Sequence, residues 1–472
     1  MFCNIVVLWS SNKIIHQYEV MKFKTFLFTL FVCIQFTFSQ NATISSEIKD
    51  HIKARVDQGF NPSIALAYIE GDEISYFNYG KTDLDNGKDV NENTVYEIGS
   101  ISKVFTTILL ADEVVKGNMK LTDPASKYLP KEVSVPQRNG KVITLKDLAT
   151  HTSGLPRMPE NISPADFNNP YIDYTAALLY DYISSYELPR DIGSQYEYSN
   201  LGMGLLGHIL ELHISETYEN LVINRIAKPL GMNDTRILFT DSMKERLALG
   251  HNDQLEVVAN WDFTTLAGAG GIRSTLNDMV KFIKANISTD TSLHKAMKLS
   301  HEIAFSNENQ NFIIALGWHF ANNNTITWHN GGTGGYSSFN GFLNNRAVVA
   351  LTNSTNSVDA IGLKLLDASI ILELPTITKF PDVIEVSTEV LDSYVGKYEL
   401  APEFTITVSR KENRLFAQAT GQPEFEIFPS TEVEFFLKVV EASVTFNKNE
   451  EGVIISLTLH QGGQDTPGIK IK

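Results

Sequence analysis

A serine three residues ahead of a lysine puts a hydroxyl and an amine on one face of a helix. An amine stripped of water there can take the hydroxyl's proton and leave a nucleophile. The chain contains this spacing four times, at Ser10, Ser46, Ser100 and Ser292. Context separates the four. Ser10 lies in a leader segment. Ser46 and Lys49 open a charged helix and read as a cap and its solvated face. Ser292 sits among polar residues, Thr291-Ser-Leu-His-Lys295. Ser100 is entered through Tyr96-Glu-Ile-Gly99 and followed by an apolar helix, Lys103-Val-Phe-Thr-Thr-Ile-Leu-Leu110. A serine at that helix start gains from the positive end of the dipole when an oxyanion forms.

Such chemistry needs a second proton carrier and a wall for the substrate. Tyr-x-Asn occurs at Tyr76, Tyr198 and Tyr218, and only Tyr198-Ser-Asn200 follows a polar loop and opens a new helix. His-x-Gly occurs at His329 and His460. Only His329-Asn-Gly331-Gly332-Thr-Gly334-Gly335 joins a strand to glycines that let a substrate approach the backbone. Other patterns fail on context. Gly202-Met-Gly204-Leu-Leu-Gly207 has no strand before it, so it reads as close helix packing and not as a dinucleotide loop. His301-Glu302 lacks the second histidine of a zinc protease, and Asp83-Leu-Asp85-Asn-Gly87 places its glycine one position early for a calcium loop. No G-x-S-x-G elbow or Walker A sequence occurs, and no metal or cofactor is implied.

The elements that must position these residues follow from periodicity. Ile44, Ile48, Ile52 and Val56 mark an amphipathic helix over 43–57. Residues 64–68 and 74–77 read as a hairpin about Gly71-Asp72. Helical patterns dominate from about 98 to 300. Strands return at 312–320, 325–329, 337–343 and 347–352, and a helix follows at 358–372. This is an α+β arrangement: an antiparallel sheet flanked by terminal helices, with a helical subdomain inserted. A proline-containing linker over 374–388 leads to short strands at 405–409, 415–418, 425–429, 433–439, 442–446 and 453–459. They predict a small all-β barrel or sandwich over 389–472.

The first 39 residues read as a leader. Lys22 and Lys24 precede an apolar run from Phe26 to Phe36, and Thr37 and Ser39 fit a cleavage site, so Met21–Ser39 is the expected signal peptide. Cleavage would remove Cys3 and Cys33, the only two cysteines, and with them any thiol catalysis. Val32 before Cys33 argues against a lipid anchor, and no later stretch is long enough for a membrane span. The expected location is periplasmic or secreted. The 472 residues carry 39 Lys+Arg against 55 Asp+Glu, a formal charge of −16, which argues against a nucleic-acid partner.

Five segments taken in order carry a family resemblance. They are Gly99-Ser100-Ile-Ser-Lys103, Leu148-Ala-Thr-His151-Thr-Ser-Gly154-Leu-Pro156, Tyr198-Ser-Asn200, Ala269-Gly-Gly271-Ile-Arg-Ser274-Thr275 and His329-x-Gly331. Together they resemble the class C β-lactamase/D-alanyl-D-alanine-peptidase family of serine hydrolases over about 43–373. The tail resembles small lipocalin-like β-barrels. The resemblance implies an acylated Ser100, with Lys103 and Tyr198 sharing the proton work. It implies that Asn200 orients the substrate amide and Lys103. His329 and Gly331 would line the substrate, and the N–H groups of Ser100 and Gly332 would form the oxyanion hole. His151 to Gly154 reads as a structural turn. His329 departs from the family pattern, standing where a lysine would be. An ordinary histidine there would change charge near pH 6.5, making the affinity for a carboxylate fall as pH rises. The substrate expected is a small molecule or peptide, cleaved at an amide or ester by a peptidase, D-amino-acid amidase or esterase. A β-lactamase is the alternative, as is a catalytically silent binding protein that kept the fold.

Overall fold

The computed structural model describes residues 42–307, 312–375, 380–402, 404–420, 422 and 424–471. The expected signal peptide, Met21–Ser39, lies outside them. Within them the chain divides into two compact units after Pro375.

The first unit is built on one antiparallel sheet. Its strands are β1 (Ser63–Glu70), β2 (Glu73–Gly80), β3 (Phe305–Asn307), β4 (Phe312–Ile314), β5 (His319–Ala321), β6 (Ile326–Gly332), β7 (Ser337–Leu343) and β8 (Arg346–Thr352). The spatial order is β2-β1-β8-β7-β6-β5-β4-β3, so strands from the two ends of the unit meet where β1 pairs with β8. β1 is buried along nearly its whole length because both faces of the sheet are covered. Ile64, Leu66 and Tyr68 face one layer with Ile48 and Ile52 of α1 (Ser46–Asp57) and Ile361 of a later helix. Ala65, Ala67 and Ile69 face the opposite layer, which includes α2 (Ser102–Val115) and the helical insertion.

Three expectations need correcting in where elements begin and end. The cap of α1 is Ser45, whose side chain accepts from the Ile48 N–H, and not Ser46. The helix expected over 358–372 is Asp359–Leu366. Asp367 ends it by accepting the Ser369 N–H, an Asx turn that competes with the next helical turn. The strand expected over 312–320 is split into β4 and β5 by a reversal at Gly317, which adopts φ +74°.

Inside the insertion, α3 (Leu145–Ala149), α4 (Ala176–Ser185) and α5 (Asn200–Ile214) surround the loops that carry the candidate chemistry. The glycines of the 202–207 stretch do let helices approach. A Cβ on Gly204 would lie 2.5 Å from Leu266, and one on Gly207 would lie 3.0 Å from the Gly268 Cα.

The second unit is a closed antiparallel barrel of eight strands, two more than the sequence pattern suggests. The extra strands are Gly396–Ala401 and Gln464–Lys470, and they close the barrel by pairing Tyr398 with Lys470 and Glu399 with Ile469. Pro467 and Gly468 hid the last strand, since both are poor strand formers. A short helix, Thr388–Tyr394, precedes the barrel and supplies Leu391 and Tyr394 to its interior. That interior is filled by side chains including Tyr398, Phe435, Phe446 and Leu457, as eight strands allow.

Candidate active site

Ser100 sits in a single tight turn, Gly99–Ile101, that runs directly into α2. Gly99 has φ +50°, a conformation that costs glycine little. The turn is pressed against β6. A Cβ on Gly99 would lie 2.7 Å from the Gly332 nitrogen, and one on Gly331 would lie 1.9 Å from the Ile98 oxygen. Ser338 on β7 donates to that Ile98 oxygen at 2.8 Å, and the Ile98 N–H donates to the Ile272 oxygen at 3.0 Å. The glycine run therefore serves packing more than substrate access. Gly334 lies under Trp261 and Gly335 against Gly250, while only Gly332 faces open space, with nothing nearer than 3.9 Å.

Lys103 is fully buried, and its amine donates to Ser100 Oγ at 2.9 Å and to the Ala269 oxygen at 2.6 Å. Burial, helped by the positive charge of Arg157, holds the amine well below the ordinary lysine range. The other three Ser-x-x-Lys copies do nothing comparable. Ser46 and Ser292 are exposed, and Ser10 lies outside the described residues.

Tyr198 lies beside this pair, its ring centre 4.7 Å from the Lys103 amine. Burial pushes its phenol up to about 12, against the opposing pull of Ser100 and Arg157. The phenol is thus a proton donor at neutral pH. The remaining Tyr-x-Asn and His-x-Gly matches lie elsewhere: Tyr218 bonds Thr106, Tyr76 lies on β2, and His460 is in the barrel.

The turn around His151 holds the Tyr198 loop in place. His151 takes φ +57°, is buried, accepts the Ser199 N–H at 3.1 Å and stacks on the Tyr198 ring at 4.6 Å. Ser199 caps α5 by accepting the Gly202 N–H, so the cap is not Asn200. The Asn200 side-chain amide donates to Met158 Sδ at 3.5 Å, whereas the Lys103 amine points to Ser100 and Ala269.

His329 lies on β6, fully buried, with the rings of His319 and Tyr198 at 5.0 and 6.5 Å. Burial first, then the charges of His319 and Lys103, hold it well below the ordinary histidine range. The expectation that its charge changes near pH 6.5 is therefore overturned: desolvation keeps the ring neutral. Its Nδ1 contacts the Asn330 carbonyl oxygen, which can only accept, so Nδ1 carries the proton. Nε2 is then an acceptor, buried and without a partner among the described residues. It suits an N–H or O–H of a substrate, not a carboxylate.

Three participants escaped the sequence reading. The Ala269 carbonyl could have been found from the Ala269–Thr275 segment, but a backbone acceptor leaves no side-chain signal. His319 lies across the sheet from His329 and is seen only in the tertiary structure. Arg157 directly follows Pro156, and its guanidinium carbon lies 5.1 Å from the centre of the Tyr198 ring. An aromatic wall completes the site. Tyr171 stacks on Phe263 at 4.3 Å and meets Trp261 at 5.2 Å. Arg273, buried, fixes the Trp261 loop by bonding the Trp261 oxygen at 2.6 Å and Asp262 at 2.9 Å.

The beta-lactamase family profile matches residues 48–370. The chain belongs to the beta-lactamase family. Residues 381–469, which hold the barrel, match a domain of unknown function, DUF3471. A D-alanyl-D-alanine-carboxypeptidase/endopeptidase of Escherichia coli (strain K12) is 33% identical over 249 residues, 52% of this chain and 63% of that protein. This chain thus spans less than two thirds of that relative's length. Penicillin-binding protein 4* of Bacillus subtilis (strain 168) is 27% identical over 447 residues, covering 88% of this chain and 95% of that protein. Among solved structures, a class C beta-lactamase superposes with TM-score 0.60 at 23% identity, over 71% of this chain and 99% of its own. The beta-lactamase/D-alanine carboxypeptidase of Pseudomonas syringae gives TM-score 0.60 at 21% identity, over 68% and 98%. These likenesses place the first unit in the class C beta-lactamase fold. Among the described residues no helix is long and apolar enough to cross a membrane.

Proposed function

We propose that this chain is an exported serine hydrolase that opens an amide or ester through an acyl-enzyme on Ser100. The observation that carries the reading is the 2.9 Å contact between a fully buried lysine amine and a serine hydroxyl at a helix start. Lys103 takes the Ser100 proton as Oγ attacks the carbonyl carbon. The N–H groups of Ser100 and Gly332 receive the oxyanion, aided by the α2 dipole. Tyr198, still a phenol, hands its proton to the leaving nitrogen or oxygen and is recharged through Lys103. Water then repeats the attack and releases the acid. His329 accepts a substrate N–H, with Gly331 beneath it and Asn200 facing the substrate amide.

A peptidase, D-amino-acid amidase or esterase fits better than an efficient β-lactamase, because the residue standing in the lysine's place is a neutral histidine. The export reading rests on the Met21–Ser39 segment. The test is to incubate the protein with a fluorophosphonate and map the labelled peptide. Labelling at Ser100, lost in Ser100→Ala and kept in Ser46→Ala and Ser292→Ala, is the expected result. Labelling that survives in Ser100→Ala overturns the assignment.

A further inference from the structure

The floor of the site holds no cation suited to an anionic substrate. Lys103 is depressed by burial, and His151, His319 and His329 are all held below the ordinary histidine range by desolvation. The chain as a whole carries −16, a field that disfavours anions. Yet one guanidinium stands beside the site. Arg157 is exposed, lies against the Tyr198 ring, and has no carboxylate within 4.0 Å among the described residues. The nearby Arg190 is paired with Glu197, and Arg273 is buried between Glu97 and Asp262.

The backbone that carries Arg157 is fixed to the helix end that carries Tyr198. The Arg157 carbonyl accepts the N–H groups of Asn200 at 2.9 Å and Leu201 at 3.3 Å. The preceding Pro156 carbonyl accepts the Ser199 hydroxyl at 2.7 Å. Stacking against an aromatic ring also preorders the side chain. A charge on a stapled loop, next to the proton donor and with no carboxylate against it among the described residues, is placed to receive something.

We infer that Arg157 is the specificity determinant that recognises a carboxylate on the substrate, the task a lysine at position 329 would otherwise perform. The inference rests on the acyl-enzyme reading above and narrows its substrate class to acyl compounds bearing a free carboxylate. A guanidinium offers such a group two parallel N–H donors, a geometry no ammonium provides.

The experiment compares matched substrate pairs in wild type, Arg157→Gln and Arg157→Lys. p-Nitrophenyl hydrogen succinate against p-nitrophenyl butanoate places the carboxylate on the acyl side. 4-Acetoxybenzoate against 4-acetoxybenzamide places it on the leaving group. The quantity read is the ratio of kcat/KM for acid over neutral partner. Removing the Arg157 charge also lifts the Lys103 amine, which moves both members of a pair alike, and the ratio cancels that effect. In Arg157→Gln the ratio for at least one pair should fall about ten-fold or more, the scale of a charge-assisted hydrogen-bonded contact, with the loss in KM. Arg157→Lys should recover part of it. Ratios unchanged within about two-fold in both pairs, the range of a solvent-screened charge, overturn the inference. Fluorophosphonate labelling of Ser100 runs alongside. Its absence in wild type removes the hydrolase reading itself and this assignment with it, whereas labelling with unmoved ratios removes Arg157 alone.

Discussion

Gly331→Ala puts one methyl group where the protein has a carbonyl oxygen. The new Cβ would lie 1.9 Å from the Ile98 oxygen and 2.5 Å from Ser338 Oγ. Ordinary contact needs about 3.5 Å, so β6 and the turn before Ser100 must part by about 1.5 Å. The oxygen cannot step aside alone, because Ser338 holds it at 2.8 Å and the Ile98 N–H is tied to Ile272. Ser100 moves with Ile98, while the Lys103 amine stays anchored to Ala269, so their 2.9 Å bond opens. Overpacking of this kind costs about 1–3 kcal/mol. A misplacement of about 1 Å at the reacting atoms costs about 100-fold in rate. Gly332→Ala is the matched comparison, since its Cβ meets nothing nearer than 3.9 Å and its φ is not positive. Its stability should stay within about 0.5 kcal/mol of wild type. The assay is the rate of fluorophosphonate labelling at Ser100, paired with urea unfolding of each variant. Gly331→Ala labelling at the wild-type rate, with wild-type stability, would refute the view that strand-to-turn contact positions the nucleophile.

Two further outcomes follow from the buried groups. Lys103 is held below its unfolded pKa, so between the two values the unfolded chain binds a proton that the folded chain does not. Stability is therefore lost as pH falls from the unfolded pKa toward the folded one, by about 1.4 kcal/mol per pH unit. Lys103→Met should abolish labelling yet raise stability, with a larger gain at about pH 6 than at about pH 9; a gain that does not grow toward acid pH would mean the amine stays charged. Tyr198→Phe removes a phenol that remains protonated, pushed up to about 12, while leaving the Ser100–Lys103 contact in place. It should acylate slowly and then accumulate acyl-enzyme, with turnover down about 100-fold or more, and single-turnover mass spectrometry that never detects the adduct would contradict this.

The amino-acid sequence by itself determined the local features of this protein. The apolar run after Lys103 and the apolar run in β1 each bury enough side chain to dictate an element, and each appears where the pattern places it. The Ser-x-x-Lys spacing puts both groups on one helical face wherever it occurs, so spacing plus an apolar context was enough to single out Ser100 and Lys103. Asx chemistry at Asp367 and the cap at Ser45 were equally local, and were misread only by a few residues. The closing strands of the barrel were not legible, because Gly396–Ala401 and Gln464–Lys470 gain their stability from pairing with each other across about 70 intervening residues. The charge states of the site were decided only by the tertiary structure. His329 is a ring of ordinary pKa in the sequence and a neutral acceptor in the fold, since full burial, with the rings of His319 and Tyr198 beside it, excludes the water that would solvate its charge. Arg157 looks like one surface arginine among many until Pro156, Ser199 and Asn200 bring it against Tyr198. Desolvation and long-range juxtaposition are properties of what surrounds a residue, and those surroundings come from segments far apart along the chain.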